Sequence, residues 1–206
     1  MKKFSNRYIF VYSTILVSVV AVVLTVVCTG LKPLQERNAR AETKQMILKT
    51  IGVEASRDNA DELYEQYIKE ERLSDGRSLL TFDGGRIIPL QGTGLWGPIW
   101  GYLALDDENT IVGAVFDHKG ETPGLGGEIA TDKFAKRFIG KSILQPIVLK
   151  KNADKSSPYE VDAISGGTMT SNGVTAMLAK AYDEYGRLAV VSSAADTIED
   201  GKETDR

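Results

Sequence analysis

Histidine and cysteine are almost absent from this 206-residue sequence, which contains one of each, His118 and Cys28. A single histidine without clustered Cys, Asp or Glu partners does not make a transition-metal site, so no bound metal is predicted. We instead predict a structural or gatekeeping hydrogen bond for His118. A single cysteine cannot form an internal disulfide, and it identifies neither the redox compartment nor a thiolate metal site.

Cys28 lies at the end of a long apolar run. This position favours the interpretation that Cys28 is an ordinary apolar residue of a membrane segment. Two alternatives remain open, namely lipidation after signal cleavage and an intermolecular disulfide. A lipoprotein cysteine normally follows Gly or Ala, whereas Val27 precedes Cys28 here.

Acidic residues are missing from the first 30 positions, where Lys2, Lys3 and Arg7 are the formal charges. From Leu31 onward the chain carries 22 basic and 28 acidic residues, a formal charge of −6. This balance argues against nucleic acid as a partner, because phosphate backbones are recognised by basic surfaces.

The segment from Tyr8 to Gly30 has no formal charge over 23 residues. At a rise of roughly 1.5 Å per residue, a helix of this length spans the ~30 Å hydrocarbon core of a bilayer. Signal peptides have shorter apolar regions, so the segment predicts an uncleaved transmembrane helix, residues 8–30. The basic residues before it predict a cytoplasmic N-terminus, residues 1–7, and a periplasmic or exterior main domain.

Three further regions are predicted after the membrane helix. Residues 31–76 form a helical stalk, because Pro33 to Thr50 and Asp58 to Leu73 show helical spacing of apolar residues and Gly52 suits a helix end. Residues 77–190 form the folded domain. The polar acidic tail, residues 191–206, contains too few apolar residues to fold and is predicted to be disordered.

The apolar pattern changes to a period of two from Ser78 onward, which is typical of strands. Glycine and acidic turns separate these runs, and a short helix from Asp132 to Phe138 with Thr131 as its N-cap follows them. A strand near 146–149 and a final helix from Ser171 to Tyr185, closed by Gly186, complete the pattern. The fold class is therefore α+β, an antiparallel sheet flanked by helices.

A polar, glycine-rich turn runs from Asp162 to Gly173 into the final helix, with the order Ser165-Gly-Gly-Thr168-Met-Thr-Ser171. Free backbone N–H groups and the helix dipole favour a phosphate there, although ordinary helix capping needs the same residue types. The turn contains no Lys or Arg. A phosphate esterified to a threonine hydroxyl carries less charge than a free phosphate and cannot dissociate, which suits this composition.

Two further stretches carry more glycine than simple turns need. His118-Lys-Gly-Glu-Thr-Pro-Gly-Leu-Gly-Gly-Glu-Ile129 provides bare backbone that can approach a planar ligand closely. Gly92-Thr-Gly-Leu-Trp-Gly-Pro-Ile-Trp-Gly101 places Trp96 and Trp100 in a short segment that enters a strand. Core packing, a ligand wall and a subunit interface remain open for these tryptophans.

These stretches, in this order behind one membrane helix, resemble the NqrC family, the flavin-carrying subunits of the sodium-translocating NADH:quinone oxidoreductases. The specific motifs are Gly94 to Tyr102, His118 to Gly126 and Ser165 to Ser171. The resemblance runs from the anchor through Leu188.

The resemblance implies that FMN is bound covalently, through a phosphoester on Thr168. It implies that the phosphate end is lined by Ser165, Gly166, Gly167, Thr170 and Ser171, and that the ribityl chain and isoalloxazine ring contact Glu121, Thr122, Gly124 and Leu125. Gly167 stands where the family usually has Ala. The flavin transferase that attaches FMN is expected to read the acid at Asp162 as well.

The implied function is electron relay from NADH toward quinone, coupled to sodium export, within a bacterial inner-membrane complex. No catalytic acid, base or metal is expected in this chain, because the flavin carries the electrons and other subunits complete the enzyme. The expected partners are the other subunits, the flavin transferase and the membrane. Two alternatives are the related flavinylated subunit of the ferredoxin:NAD Rnf complex, RnfG, and a non-redox anchored protein that binds a phosphorylated ligand.

Overall fold

The computed structural model describes residues 5–72 and 78–186, so the predicted acidic tail, residues 191–206, lies outside the described residues. The chain divides into two compact units, Met1–Thr43 and Lys44–Arg206. The first unit consists of one helix as far as it is described. The second holds the sheet and the shorter helices.

Helix α1 spans Asn6–Thr50 and joins the predicted membrane helix and the first predicted stalk helix without a break. Pro33 lies inside it, where the ring removes one backbone N–H donor. The apolar part of α1 is exposed and has a mean hydropathy of 2.6. Among the described residues, α1 is the one helix long and apolar enough to cross a membrane.

Helix α1 ends as predicted, because Gly52 adopts a φ of +77° and its N–H donates to the Lys49 carbonyl at 3.0 Å. Helix α2 spans Ala60–Tyr67. The predicted continuation of this helix to Leu73 is wrong, because Ile68 is extended and strand β1 follows at Lys69–Arg72. Pairing with the next strand outweighs the helix propensity of its Lys and Glu residues.

A five-stranded antiparallel sheet forms the centre of the second unit, in the order β1-β2-β3-β4-β5. Its further strands are β2 (Ser78–Phe82), β3 (Gly85–Thr93), β4 (Pro98–Leu105) and β5 (Ile111–His118). The period-two runs of the sequence lie in these strands, so the predicted α+β class with an antiparallel sheet is confirmed. The β3–β4 and β4–β5 pairs bring the ends of β3, β4 and β5 together near Thr93, Pro98 and His118.

Each face of the sheet covers a separate apolar core. Ile87 and Ala104 pair across β3 and β4 and pack with Ile47 and Leu48 at the end of α1. The next residues along the same strands, Ile88 and Leu103, point to the opposite face, as strand geometry requires. That face packs on the C-terminal half of the chain.

The C-terminal half supplies short elements and one longer helix. They are a 3-10 turn at Gly126–Ala130, α3 (Asp132–Ala135) with a 3-10 turn at Lys136–Phe138, the parallel pair β6 (Val148–Lys150) and β7 (Glu160–Asp162), α4 (Thr168–Ala181) and a π-helical turn at Tyr182–Gly186. Thr131 caps α3 as predicted, by accepting from the Phe134 N–H at 3.3 Å. The final helix begins at Thr168 instead of Ser171, because the Ser171 N–H already donates to the Gly167 carbonyl at 2.8 Å.

Candidate cofactor site around Thr168

Thr168 is the first residue of α4 and is exposed. The chain reaches it through a tight turn in which the Gly167 N–H donates to the Ile164 carbonyl at 3.1 Å and Gly166 has a φ of +75°. The first N–H groups of a helix have no intrahelical acceptor, and the N-cap residue Gly167 has no side chain that could accept from them. The Thr168 hydroxyl is therefore presented to solvent at a helix terminus that favours negative charge.

Ser171 fixes the inner side of this turn. Its Oγ atom accepts from the Ile164 N–H at 3.0 Å, and the side chain is 1% exposed. Because this bond spans the turn, the path of residues 165–167 is set from within the protein. The hydroxyl of Thr168 has no such internal role in the described hydrogen bonds, so it is available for chemistry.

An open cleft of about 850 Å³ adjoins Thr168. Its walls come from the end of β6, the end of β7, the turn before α4 and the first turns of α4. The lining residues that the sequence predicted for the site are Ser165, Gly166, Thr168 and Ser171. The cleft is large enough to admit part of a nucleotide-sized ligand.

The cleft also contains basic residues that the sequence analysis missed, namely Arg137, Lys150 and Lys151. The Arg137 Nη1 atom donates to the carbonyl oxygens of Asp162 at 2.7 Å and Ala163 at 3.3 Å. Lys150 pairs with Glu160 at 2.7 Å. No spacing rule links these bases to the turn at 165–168, because the fold alone brings β6 and the 3-10 turn at Lys136–Phe138 beside it.

The glycine-rich loop, which we define as residues 118–126, lies against the turn that carries Thr168. A Cβ atom added to Gly166 would lie 2.7 Å from Cδ2 of Leu125. The loop closes through the Leu125 N–H, which donates to the Thr122 carbonyl at 3.1 Å, and Gly124 adopts a φ of +75° that suits glycine. Thr122, Gly124 and Leu125 are exposed beside the turn.

Glu121 of the same loop is buried, with 4% exposure. Its Oε2 atom accepts from the Thr170 hydroxyl at 2.6 Å, and its Oε1 atom accepts from the Trp96 N–H at 2.8 Å. Thr170 is 1% exposed. The side chains of Glu121 and Thr170 therefore face one another inside the protein, between the loop and α4.

Two glycines make room for the Glu121 carboxylate. A Cβ atom at Gly94 would lie 2.5 Å from its Oε1 atom, and one at Gly126 would overlap both Oε2 and the Thr170 hydroxyl. Part of the glycine content that the sequence suggested for close ligand approach thus serves close internal packing. The exposed glycines of the loop are Gly120 and Gly124.

Hydrogen bonding keeps Glu121 ionised. Burial alone raises the pKa of its carboxyl group, but the hydrogen bonds from Thr170 and from the Trp96 and Leu95 N–H groups, together with nearby His118, outweigh burial and hold the pKa below its ordinary value. The loop therefore contains a buried negative charge at neutral pH.

His118 and the tryptophans take different places around this carboxylate. The His118 Nδ1 atom accepts from the Glu121 N–H at 3.3 Å, which agrees with the predicted structural hydrogen bond. Trp96 is 68% exposed and is not a core residue, whereas Trp100 is half-buried on β4. Trp96 thus stands at the surface near the loop, with its backbone held by Glu121.

The predicted site residues divide into three groups. The cleft beside Thr168 contains Ser165, Gly166 and Ser171, and the exposed loop provides Thr122, Gly124 and Leu125. A buried group consists of Gly167, Thr170 and Glu121. Residues 121–125 and 165–171 are neighbours in the fold although they are distant in sequence, because Glu121 contacts Thr170 and Leu125 lies against Gly166.

Comparison with known proteins shows that the chain contains a described domain type. The family model described as the FMN-binding domain matches residues 94–183. The NqrC protein of the Na(+)-translocating NADH-quinone reductase of Vibrio parahaemolyticus is 26% identical, over 76% of this chain and 82% of the relative. The corresponding protein of Neisseria meningitidis serogroup B is 38% identical, over 50% of this chain and 42% of the relative.

Two solved structures of proteins from the same family are similar to this chain. The crystal structure of the corresponding Na(+)-translocating NADH-quinone reductase protein of Parabacteroides distasonis has a TM-score of 0.69 and 34% identity, and the match covers 77% of this chain and 96% of that one. The structure of NqrC from Shewanella oneidensis has a TM-score of 0.60 at 18% identity, covering 75% of this chain and 99% of that chain, and supports the fold alone.

Proposed function

This chain belongs to the NqrC family of the Na(+)-translocating NADH-quinone reductases, and from that premise we propose that it is an electron-transfer subunit with FMN esterified to Thr168. The observation that carries the proposal is the exposed Thr168 hydroxyl at the start of α4, between a basic cleft and the glycine-rich loop. The FMN-binding domain matched at residues 94–183 contains both parts.

The residues around Thr168 fit the phosphate end of a flavin nucleotide. A phosphodiester on its Oγ atom keeps one negative charge, which the N-terminus of α4 stabilises. Lys151 is exposed in the adjoining cleft and adds positive charge nearby. Ser165 and Gly166 offer a polar, narrow turn that leaves the phosphate accessible.

The exposed loop residues Thr122, Gly124 and Leu125 are proposed to receive the ribityl chain and the ring. Leu125 is 43% exposed and provides an apolar surface next to Gly166. Gly124 has no side chain and no atom within 4 Å of an added Cβ, so a planar ligand can approach its backbone. Bound FMN would supply the redox chemistry, and these residues would hold it in place.

In the attachment reaction, the hydroxyl of Thr168 is the nucleophile that this chain supplies. A flavin transferase would present an FMN group activated as a phosphoanhydride. A bond would form between Thr168 Oγ and the flavin phosphorus, the anhydride P–O bond would break, and the departing nucleotide phosphate would take the electron pair. The hydroxyl proton is released, so the chain gains FMN less water.

A covalent flavin suits a domain on the outer side of a membrane. An ester bond makes retention independent of the free FMN concentration, whereas a dissociating cofactor would be lost where FMN is scarce. The apolar part of α1 would hold the flavin beside the other subunits. We propose that the complex passes electrons from NADH toward quinone and exports sodium.

Mass spectrometry of the peptide that contains Thr168 tests the attachment. After coexpression with a flavin transferase, we expect this peptide to carry FMN less water and the denatured protein to show flavin fluorescence on a gel. Thr168→Val removes the hydroxyl at nearly constant shape and should abolish the modification.

Thr93→Val is the matched control, because it removes another exposed threonine hydroxyl, at the end of β3 on which α4 packs. It should retain full fluorescence. A wild-type chain without flavin under these conditions, or a modified Thr168→Val chain, contradicts the proposal.

The reaction of the complex is tested separately on the purified assembly. We expect sodium-dependent reduction of quinone by NADH. The names of the relatives favour this activity over the ferredoxin-dependent Rnf alternative. Oxidation of reduced ferredoxin without quinone reduction would overturn the assignment.

A further inference from the structure

Glu121 is the one charged side chain that is buried among residues 5–72 and 78–186. Taking a carboxylate out of water is costly unless hydrogen bonds or charges compensate for it. Apolar residues fill comparable positions elsewhere in the core. The position of this charge between the loop and α4 therefore calls for a specific role.

Glu121 joins three separate segments. One oxygen accepts from Thr170 in the first turn of α4, and the other accepts from the N–H of Trp96 in the turn after β3. The Glu121 N–H donates to His118 at the end of β5. With 4% exposure and glycines packed against both oxygens, the carboxylate has little surface left for a ligand.

We propose that Glu121 is a positioning residue, which fixes the Thr168 turn against the Leu125 loop through Thr170 and the Trp96 N–H. This differs from the expectation, implied by the family resemblance, that Glu121 itself contacts FMN. The inference rests on the proposed function, because Thr168 and Leu125 matter as the two ends of the flavin site.

The geometry explains how one pair sets the site. Thr170 lies two residues after Thr168 in the same helical turn, so a displacement of Thr170 displaces the Thr168 hydroxyl. Leu125 lies four residues after Glu121 in a loop that the Thr122 carbonyl closes, by accepting from the N–H groups of Leu125 and Gly127. The Glu121–Thr170 hydrogen bond thus joins the first turn of α4 to the loop, and each of these segments is held by its own backbone hydrogen bonds.

The full-length chain in detergent provides the test, with Thr170→Val, Thr170→Ser, Glu121→Gln and the double variant Glu121→Gln/Thr170→Val. Thr170→Val removes the donor at matched shape, and Thr170→Ser keeps it. Glu128→Gln is the control, since it makes the same change in the adjacent, half-buried Glu128. Every variant is first checked for its unfolding midpoint.

The first readout is amide hydrogen exchange before any flavin is attached. In Thr170→Val, exchange should quicken in the peptides that cover residues 94–97 and 165–171, whereas Thr170→Ser and Glu128→Gln should match the wild type. The second readout is the rate of flavin attachment at limiting transferase. It should fall by about tenfold in Thr170→Val, because misplaced reacting groups are penalised steeply, and recover in Thr170→Ser.

The double variant tests whether the two residues act as a unit. Its attachment rate should be no lower than that of the slower single variant, because each substitution breaks the same interaction. Additive losses would contradict the proposal. Thr170→Val with the exchange and attachment rates of the wild type would also contradict it. A third contradicting result is a change of the flavin absorbance in Glu121→Gln without any change in Thr170→Val.

Failure of the proposed function has a separate signature. A wild-type chain that never acquires flavin overturns the assignment of Thr168, while the exchange measurements still decide whether Glu121 fixes the turn. If Thr170→Val does not fold, the exchange of Glu121→Gln tests the proposal instead. Exchange in Glu121→Gln must then quicken in the peptides that cover residues 94–97 and 165–171, and unchanged exchange overturns the proposal.

Discussion

The glycines around Thr168 differ in the space that surrounds them. Gly126 lies where an added Cβ would overlap the Glu121 carboxylate and the Thr170 hydroxyl. Gly167, where the family usually has Ala, would place a Cβ 2.9 Å from Cγ2 of Ile164. The first position is closed by a buried polar pair, and the second by the Cβ and Cγ2 atoms of one apolar side chain, Ile164.

Gly126→Ala should therefore destabilise the protein by about 1–3 kcal/mol, the usual range for overpacking. Gly167→Ala should cost about 0.5–1 kcal/mol, because Ile164 shifts slightly and Ala is a poorer N-cap than Gly. Denaturant unfolding in detergent measures both values. A larger loss for Gly167→Ala than for Gly126→Ala would contradict the packing described here.

The ionised Glu121 predicts a stability change on the acid side. Its pKa is lower in the folded chain than in the unfolded chain, so its stabilisation is present above the unfolded pKa and is lost as pH falls through the folded pKa. The wild type should be about 1–3 kcal/mol more stable than Glu121→Gln above about pH 5, and the difference should shrink below about pH 4.3.

Paired unfolding curves between pH 3 and 7 check this prediction. Glu128→Gln should run parallel to the wild type, because Glu128 lacks the hydrogen bonds that hold the Glu121 carboxylate. Because His118 lies close to Glu121, the comparison is repeated in a His118→Gln background: the single variant His118→Gln is compared with the double variant Glu121→Gln/His118→Gln. A difference that grows as the pH falls would contradict the direction of the shift.

At the scale of elements, α4 joins the sheet to the proposed flavin site. Gly173 packs directly on the end of β3, where a Cβ would overlap the Thr93 carbonyl oxygen and lie 3.3 Å from Cα of Gly94. The helix can approach the strand this closely because Gly173 has no side chain. The start of α4, and with it Thr168, is located by this contact as well as by Thr170.

Gly173→Ala sets two effects against each other. Ala favours a helix interior over Gly by about 1 kcal/mol, but a clash with fixed backbone costs about 1–3 kcal/mol or more. We expect net destabilisation and slower flavin attachment, because α4 must move away from β3. Unfolding and in-gel fluorescence measure the two outcomes.

Asn172→Ala is the control, since Asn172 is exposed on the same helix and should gain a few tenths of a kcal/mol from helix propensity alone. A Gly173→Ala protein that is more stable than the wild type would show that α4 does not need this close approach.

Sequence patterns predicted the elements better than their boundaries. Alternating apolar residues identified β2 to β5, because one-sided burial of a strand leaves a local signature. The helical spacing of Asp58–Leu73 predicts too long a helix, since nothing local reveals that residues 69–72 pair with β2. The sequence also predicts the start of α4 three residues late, because capping residues surround Thr168 on both sides.

The candidate site was predicted only where its motifs are continuous. The turn at 165–171 and the loop at 118–126 are local and were recognised. Arg137 lies 25 residues from Asp162, and Glu121 lies 49 residues from Thr170, so their contacts depend on the fold. The resemblance gave Glu121 a role at the flavin, whereas burial and hydrogen bonding indicate an internal one.

At the scale of the whole molecule, charge and hydropathy separate along the chain. All the acids follow residue 30, and the apolar part of α1 separates Lys2, Lys3 and Arg7 from them. Basic residues are retained on the cytoplasmic side of membranes, so the folded domain should lie on the outer side. This orientation would place the flavin site opposite the N-terminus across the bilayer.

The single native cysteine makes this orientation testable. In a Cys28→Ser background, Lys133→Cys adds a thiol on the exposed side of α3, and Ser5→Cys adds one before the membrane helix. A membrane-impermeant maleimide should label Lys133→Cys in spheroplasts, and Ser5→Cys only after permeabilisation. The reverse pattern would place the domain in the cytoplasm.

The Cys28→Ser chain should stay in the membrane fraction, because a 23-residue apolar span anchors without a lipid, and its release would indicate lipidation instead.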